Sequence, residues 1–571
     1  MTYRFSYDEA SPYAHAVRLI GAHRRPEGRV VVDLGCGYGP IAEPLRSLGL
    51  DYVGVDSDRP GIEDLVARGF EGHVGDIASP GPLADQLSGV LAGRPVAAVC
   101  LLDALEHLAD PDALLRSLAG MTGGATLVVS IPNVTHLDLG VKLLLGRWDV
   151  TETGLLDATH LRFFSEAGLE ETMARCGWSE VGRADFELVL SDQHFPEDSV
   201  ALDRATPVGS LLTWLRTSAG PAALVNQFVR AYAPGERTVD SAAEESERPF
   251  LSVLVRTQGT RPGTLEDTLL SLAAQTCADF EVLVLAHDAA PSALAGVEAA
   301  VAAFDPSFAD RVRVVPVGGG GRARPLNEGA RVARGHHLAT LDDDDLAFAH
   351  WVETLKAAAG RAPGRVLHTG VAAQSIAEED RAPGYRVAGP PHCPYPVAFE
   401  QLDHMVDNRT PNCGFAVPRS LVADLGQAWD DTLPVYEDWE YLLRATALCG
   451  VEDTGVVGAL ARVWERGERS TTAHDEAAWD DARVGVVARL DARPFLLAPG
   501  SVSKLRRLVA AADAGGGDWQ AGVSESSHHA TLAELAAARG ELAALRASTS
   551  WRLTAPVRAL ADRLRRAGRR R

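Results

Sequence analysis

The sequence predicts an α/β protein made of two α/β domains and a short helical tail at the C-terminus. Short apolar runs alternate with helix-forming stretches over residues 1–236, and the same alternation returns over 249–500. This alternation is typical of strands and helices that build a largely parallel sheet. Residues 237–248 between the two blocks are acidic, small and polar without apolar periodicity, which indicates an interdomain linker.

Apolar runs of strand length mark the sheet in each domain. The first domain has such runs at residues 29–34, 51–56, 96–102 and 125–131. The second has them at 249–257, 279–288, 311–317 and 336–345, with a helical pattern at 265–275. We therefore expect two sheets of βαβ units, each with its ligands at the carboxyl ends of the strands.

The tail, residues 501–571, is expected to be a flexible segment followed by a basic helix. Its first part is rich in Gly and Ser, as flexible chain is. Residues 551–571 carry eight Arg and one Asp, and their apolar residues recur at three- and four-residue steps. Such a helix lies on an anionic membrane surface, packs on the acidic body of the same protein or stays solvated, and the sequence leaves these alternatives open.

Composition excludes several classes of protein. With 55 Lys and Arg against 77 Asp and Glu, the formal charge is −22, which argues against a nucleic-acid partner. No apolar run reaches the roughly 18 residues of a membrane span, and no basic region followed by an apolar core begins the chain. Seven scattered cysteines without paired spacing favour a reducing compartment. We expect a cytoplasmic protein, peripheral to the inner face of the plasma membrane if the tail binds lipid.

A glycine-rich turn follows the first strand. In VVDLGCGYG, Asp33 ends a buried strand, and Gly35, Gly37 and Gly39 allow the backbone to turn tightly against a ligand. Asp56 ends the next strand, where an acidic residue accepts hydrogen bonds from ribose hydroxyls. The pattern resembles motif I of class I S-adenosylmethionine-dependent methyltransferases, and residues 1–236 resemble that family throughout.

Further motifs of the same family follow in order. Asp76 in GHVGDI matches the acid on the adenine side, and Asp103 lies in the fourth-strand motif CLLDALEHLADP. The resemblance implies S-adenosylmethionine as cofactor and a Rossmann-like fold. Methyl transfer to oxygen benefits from a base near the nucleophile, for which His107 and His160 are the candidates; a structural role for each remains open.

Four consecutive aspartates, Asp342 to Asp345, follow a strand of the second domain. Adjacent like charges repel, and hard oxygen ligands at a strand end suit Mg²⁺ or Mn²⁺ bridging a diphosphate. A solvated acidic turn is the alternative. Downstream, VYEDWE places Asp438 in an acidic pair.

Residues 249 to about 480 resemble family 2 glycosyltransferases of the GT-A fold, which are inverting enzymes that use nucleotide-diphosphate sugars. The resemblance implies that Asp342 and Asp344, with Asp345 beside them, bind a metal ion, and that Asp438 is the catalytic base. It also implies nucleotide-sugar binding by Thr257, Arg261, Asp288, Arg322, Asn327 and Asp342.

Two departures from the family pattern affect the second domain. Arg256-Thr257-Gln258-Gly259 stands where the family has Pro-Thr-aromatic-Asn, and Ala286-His287-Asp288 stands where it has an Asp-Asp pair. Both concern the identity of the donor rather than the fold.

The two resemblances together predict a bifunctional transferase. The fusion suggests that both domains act on one glycan, glycolipid or glycosylated metabolite, with a sugar hydroxyl as the methyl acceptor. Two alternatives remain: one domain is active and the other a scaffold, or the chain is a non-catalytic assembly protein for glycan biosynthesis.

Overall fold

The computed structural model describes residues 7–193, 195, 199–235, 248–465 and 476–514. The chain divides into two compact units, one formed mainly by residues up to 247 and the other mainly by residues from 248 onward. Most of the expected linker and the basic helix at 551–571 lie outside the described residues. Among those that are described, no helix has the length and apolar character needed to cross a membrane.

The first unit contains a mixed sheet flanked by helices. Its strands are β1 (Val30–Leu34), β2 (Asp51–Asp56), β3 (Glu71–Val74), β4 (Val96–Leu102), β5 (Thr126–Pro132), β6 (Trp178–Arg183), β7 (Phe186–Glu187) and β8 (Val225–Pro234). Its helices are α1 (Pro12–His23), α2 (Ala42–Ser47), α3 (Arg59–Ala67), α4 (Pro80–Leu91), α5 (Pro111–Met121), α6 (Leu137–Leu144), α7 (Glu166–Arg175) and α8 (Pro207–Ala219).

The strand order is β3-β2-β1-β4-β5-β8-β6, with β7 paired to β8. Strands β1 to β5 run parallel, and β8 lies antiparallel between β5 and β6. Every residue of β1, β4 and β5 is buried, as in parallel strands covered by helices on both faces. The carboxyl ends of β1, β2 and β4 therefore meet at one edge of the sheet.

The second unit has a larger mixed sheet. Its strands are β9 (Leu251–Thr257), β10 (Phe280–His287), β11 (Val312–Val317), β12 (His337–Asp342), β13 (Leu346–Ala347), β14 (Val366–Glu378), β15 (Tyr385–Val387), β16 (Phe415–Pro418) and β17 (Val451–Trp464). The order is β11-β10-β9-β12-β16-β14-β17-β13, with β15 on β14. Strands β9 to β12 are parallel to one another, and β16 is antiparallel to β12.

Helices cover this second sheet. They are α9 (Pro262–Ala273), α10 (Pro291–Ala302), α11 (Pro306–Ala309), α12 (Arg324–Val332), α13 (Trp351–Arg361), α14 (Gln401–Val406), α15 (Arg419–Ala423) and α16 (Glu437–Cys449), followed by Glu476–Asp491 and Ser501–Ala514. The last of these begins in the segment that we expected to be flexible. Its sequence, SVSKLRRLVAAADA, consists largely of strong helix formers, which explains the difference.

The fold class agrees with the sequence prediction, and the strand bounds are close to the expected ones. Strands β2 and β4 coincide with the predicted runs, and β1, β5, β9 and β12 lie within or next to theirs. The sequence analysis missed β8, because polar residues interrupt its apolar pattern. One of them, Arg230, is fully buried and pairs with Glu166 and Asp185 at 2.7 and 2.9 Å.

Candidate functional sites

A cavity of about 820 Å³ lies at the edge of the first sheet where β1, β2 and β4 end. This volume is within the usual range for small-molecule sites. Among the residues predicted from sequence, its walls include Asp33, Gly35, Gly37, Asp56, Asp103, His107 and His160.

The glycine-rich turn after β1 forms one wall of this cavity. Gly35 has a φ of +78°, and a Cβ there would lie 3.1 Å from the Cβ of Ala104. A side chain at this position is therefore strained in backbone conformation and crowded. Asp33 is buried and accepts a hydrogen bond of 2.7 Å from the Tyr52 hydroxyl. Burial raises the pKa of Asp33 to about 7.

Asp56 holds the turn from the neighbouring strand. Its two carboxylate oxygens accept hydrogen bonds from the backbone N–H groups of Gly37 and Asp58, both at 2.7 Å. The carboxylate thus fixes the glycine turn while it lines the cavity. A ribose at this point would meet an acceptor that is already oriented.

Asp103 lies at the end of β4 in the left-handed region, with a φ of +52°. Its carboxylate accepts hydrogen bonds from Gln227 Nε2 at 2.7 Å and the Tyr13 hydroxyl at 3.0 Å. Burial raises the pKa of Asp103 to about 6. A non-glycine residue in this conformation is held by its surroundings, and such residues concentrate at functional sites.

Two predicted cofactor residues lie outside the cavity walls. Asp76 is exposed and accepts hydrogen bonds from the backbone N–H of Ala78 and the hydroxyl of Ser79, so it shapes the turn before α4. Gly39, with a φ of +62°, belongs to the glycine-rich turn after β1 and lies next to the Tyr52 side chain. The structure therefore assigns both residues local backbone contacts rather than direct contact with the cavity.

The two histidine candidates lie beside each other in the cavity wall. Their ring centroids are 4.9 Å apart. Burial, together with the neighbouring His107, lowers the pKa of His160. Glu106, which the sequence analysis passed over, is buried beside them, and burial raises the pKa of its carboxyl group well above the usual range.

The residues of this cavity fit S-adenosylmethionine. Asp56 offers a ribose acceptor, the glycine turn leaves room at Gly37, where a Cβ would meet no atom within 4 Å, and Asp33 and Asp103 add carboxylates near a cationic methyl donor. Carboxylates in a cleft favour a bound cation electrostatically.

The acidic site of the second unit consists of the aspartate run Asp342 to Asp345 and the pair Glu437 and Asp438. Arg256 connects these two groups to the backbone of Arg322. Its guanidinium forms a fork on Asp342, at 3.1 and 3.2 Å, and donates to Glu437 at 2.9 Å and to the Arg322 carbonyl at 2.9 Å. The Arg256 side chain is 12% exposed and that of Glu437 4%. This is a largely buried ion network that connects β9, β12 and α16.

The remaining aspartates of the run have separate partners. The Thr257 hydroxyl donates to Asp343 at 2.5 Å. Asp344 Oδ2 accepts from the Trp464 indole at 2.8 Å and lies 3.3 Å from Arg261. Burial raises the pKa of Asp344, and the charge of Asp342 raises it further. The run is therefore built into the strand edge and is not a solvated turn.

Asp345 has a structural contact. It is buried, and its carboxylate accepts the backbone N–H of Arg462 at 2.9 Å, which connects the end of β12 to β17. For a divalent cation, Asp344 fits best, because both of its contacts fall on one oxygen. Asp342 is already neutralised by Arg256. A metal site here would thus depend mainly on Asp344, while Asp345 already binds the backbone of β17 through Oδ1.

Asp438 lies in the first turn of α16. Tyr436, which precedes this helix, has a φ of +63°, a conformation that non-glycine residues rarely adopt. Burial raises the pKa of Asp438 to about 7, and the adjacent Glu437 charge adds to the effect. Glu437 is held ionised by Arg256 and Arg322, which lower its pKa against the effect of burial. Asp438 therefore has the proton affinity of a general base near neutral pH.

The other predicted nucleotide residues lie around this network in different roles. Arg322 Nε donates to Glu437 at 3.2 Å. Asn327 exchanges hydrogen bonds of 2.9 Å with the backbone of Trp429 and thus anchors α12. Asp288, with a φ of +48°, accepts the backbone N–H of Gly319 at 2.7 Å. The structure brings Arg322 to the acidic site and gives Asn327 and Asp288 contacts that shape loops.

Two family models match this chain. The model described as "Methyltransferase domain" covers residues 6–181, and the model described as "Glycosyl transferase family 2" covers residues 252–415.

Curated relatives match the first unit. Ubiquinone biosynthesis O-methyltransferase of Caulobacter vibrioides is 33% identical over 135 residues, which are 22% of this chain and 52% of that protein. The protein of the same name from Mesorhizobium japonicum is 31% identical over 143 residues, which are 25% of this chain and 56% of that protein. The chain thus spans about half the length of these relatives.

Solved structures resemble each unit at low identity. TarS 1–349 of S. aureus in complex with UDP-GlcNAc is 18% identical, with a TM-score of 0.31, over 40% of this chain and 63% of that one. Magnesium protoporphyrin IX methyltransferase (ChlM) of Synechocystis PCC 6803 with bound SAH is 15% identical, with a TM-score of 0.26. The match covers 39% of this chain and 82% of that one. The sequence matches and the two α/β sheets agree: this chain joins a methyltransferase domain to a family 2 glycosyl transferase domain.

Proposed function

We propose that the protein is a bifunctional transferase, with domains at residues 1–236 and 249–500. The first domain transfers a methyl group from S-adenosylmethionine to a hydroxyl oxygen. The second transfers a glycosyl group, with inversion, from a nucleotide-diphosphate sugar. The observation that carries the proposal is that each unit groups carboxylates at one end of its sheet. Asp33, Asp56 and Asp103 line the cavity of the first unit. In the second unit, Asp342 and Asp344 lie at the end of β12, and Asp438 lies in the first turn of α16.

In the methyltransferase domain, the bound cofactor supplies an electrophilic methyl group on a sulfonium ion. Asp56 and the Gly37 turn orient the ribose, and the histidine side of the cavity receives the acceptor. The acceptor oxygen forms the new bond to the methyl carbon, and the pair of the broken S–C bond stays on sulfur. His107 or His160 takes the acceptor proton.

In the glycosyltransferase domain, Asp438 takes the proton of the acceptor hydroxyl. The acceptor oxygen forms a bond to the anomeric carbon, and the bond from that carbon to the diphosphate breaks with its electron pair on the diphosphate. A divalent ion held through Asp344 would supply neutralising charge for this leaving group. Attack from the side opposite to the diphosphate inverts the anomeric configuration.

We further propose that both domains modify one glycan or lipid-linked sugar, because a single chain carries both. The methyl acceptor is then a sugar hydroxyl. Purified protein supplied with radiolabelled S-adenosylmethionine, a panel of nucleotide sugars and oligosaccharide acceptors tests this directly. Transfer of neither group under any combination would favour the assembly-protein alternative.

Asp56→Ala should weaken S-adenosylmethionine binding by about 1.5–3 kcal/mol, or roughly 10- to 150-fold in Kd. The variant loses the ribose acceptor and the contact that holds Gly37. Isothermal calorimetry measures the change. Asp64→Ala, which removes an equal charge from the surface pair with Arg68, is the matched control and should bind as the wild type does. Equal affinity in the Asp56 variant would refute the assignment.

Asp344→Asn should remove the Mn²⁺ dependence of nucleotide-diphosphate binding. The amide keeps the shape of the side chain and can still accept from Trp464, but it is a poor ligand for a hard cation. We expect a loss of at least about tenfold in affinity with Mn²⁺ present, since even outer partners of metal ligands contribute that much. Calorimetry with and without Mn²⁺ measures it. S-adenosylmethionine affinity, a property of the other unit, serves as the internal control.

A further inference from the structure

Three side chains with metal-ligand chemistry converge in the methyltransferase cavity. One ligand atom each from Glu106, His107 and His160 lies within 4.8 Å of the others. Glu106 and His107 belong to the turn Leu105–His107 after β4, and His160 comes from a separate loop. All three line the cavity in which methyl transfer is proposed.

Backbone hydrogen bonds clamp the two loops together. The carbonyl of Glu106 accepts the N–H groups of Leu161 and Arg162 at 2.8 and 3.0 Å. His160 is therefore fixed opposite Glu106 by its own neighbours in the chain. A preorganised set of ligands of this kind needs little rearrangement to bind an ion.

The buried carboxyl group of Glu106 also indicates a bound ligand. The residue is 1% exposed, and neither carboxylate oxygen has a hydrogen-bond partner among the described residues. A buried polar group without a partner costs folding free energy, so native structures seldom retain one without a reason. A cation between Glu106 and the two rings would satisfy both oxygens.

Each imidazole ring has a backbone carbonyl near one of its nitrogens. His107 Nδ1 lies 3.3 Å from the Thr159 carbonyl oxygen, and His160 Nδ1 lies 3.3 Å from the Leu155 carbonyl oxygen. A ring whose Nδ1–H donates to a carbonyl keeps the lone pair of Nε2 for a metal ion. These contacts also hold the orientation of the two rings.

We propose that Glu106, His107 and His160 bind a divalent transition-metal ion in the methyltransferase cavity. Two imidazoles and one carboxylate suit Mn²⁺, Fe²⁺, Co²⁺ or Zn²⁺ better than Mg²⁺, which prefers oxygen ligands. Three protein ligands leave open positions, which fit an acceptor with two neighbouring oxygens, such as a vicinal diol of a sugar.

The role of the ion rests on the proposed methyl transfer. A metal-bound hydroxyl loses its proton more readily than a free one. The proton leaves to solvent, the oxygen bonds to the methyl carbon, and the S–C electron pair remains on sulfur. With the ion bound, the histidines are ligands, and solvent takes the proton in place of the histidine base proposed above for the site without metal.

Co²⁺ titration of the full-length protein tests the site, with visible ligand-field absorption and equilibrium dialysis as readouts. The wild type should bind Co²⁺ at this site with an absorption spectrum typical of nitrogen ligands. Glu106→Gln and His160→Ala should each weaken this Co²⁺ at least about tenfold. Glu452→Gln, at the surface pair with Arg361 in the other unit, should leave it unchanged. The proposal would be overturned if the wild type bound no Co²⁺ at this site. It would also be overturned if Glu106→Gln and His160→Ala bound Co²⁺ as tightly as the wild type.

Binding of S-adenosylmethionine separates this proposal from the proposed function. The two ligand variants should still bind the cofactor, because Asp56 and the glycine turn are untouched, and this binding also shows that they fold. Wild-type protein that binds Co²⁺ at the site but no S-adenosylmethionine would contradict the methyltransferase function and leave the metal site standing. Wild-type protein that binds S-adenosylmethionine but no Co²⁺ at the site would contradict the metal site and leave the methyltransferase function standing.

Discussion

Asp438→Asn should lower the glycosyl-transfer rate by about 10²- to 10⁴-fold, the usual contribution of a general base. The amide keeps the shape of the side chain and cannot take the acceptor proton. The two nearby carboxylates cannot replace it easily. Glu437 is held by Arg256 and Arg322. Glu440 accepts hydrogen bonds from Nη2 and Nε of Arg444 at 2.7 and 3.0 Å.

The pH dependence of glycosyl transfer tests whether Asp438 is the base. Burial raises the pKa of Asp438 to about 7, so the base is protonated and inactive below that pH. The wild-type kcat/KM should rise as the pH rises through about 7, and the residual rate of the variant should lack this step. Donor affinity should stay near that of the wild type. Glu452→Gln, at the surface pair with Arg361, is the control. Substantial turnover by Asp438→Asn would show that another group takes the proton.

Arg256→Met should cost about 3–5 kcal/mol of the free energy of unfolding of the second unit, as expected when one partner of a buried ion pair is removed. The substitution fills similar space but leaves Asp342 and Glu437 without their shared cation. Among the described residues, Glu437, whose side chain is 4% exposed, would keep Arg322 alone as an ion-pair partner. Urea denaturation followed by tryptophan fluorescence measures the loss.

The pH dependence of the stability loss in Arg256→Met distinguishes loss of the ion network from a simple packing defect. Without Arg256, the pKa of Glu437 rises, because burial raises it and the charge of Arg256 no longer lowers it. The stability lost should be largest at neutral pH and smaller as the pH falls and Glu437 becomes neutral. The double variant Arg256→Met/Glu437→Gln should recover part of the loss at pH 7. A deficit that is independent of pH would argue against the ion network.

The sequence predicts the two sheets well because their signals are local. An apolar run, a glycine turn and an acidic residue at a strand end occupy neighbouring positions, so Asp33, Gly35 and Asp56 are predictable from the sequence alone. Tyr13 and Gln227 are not, since they reach Asp103 from α1 and β8, far away in sequence. Arg256 is visible as a departure from the family pattern, but only its contacts reveal an ion network. The importance of Glu106 likewise depends on a partner loop some fifty residues away.

The antiparallel strand β8 has a consequence for the order in which the protein is made. β6 leaves the ribosome before β8, yet in the folded unit β6 pairs with β8 and not with β5. Until β8 is synthesised, β5 presents an unpaired edge, and Asp103 lacks the amide of Gln227. Unpaired strand edges invite association between chains. The nascent methyltransferase domain therefore passes through a stage in which it can associate with other chains, and this stage ends only when its last strand emerges.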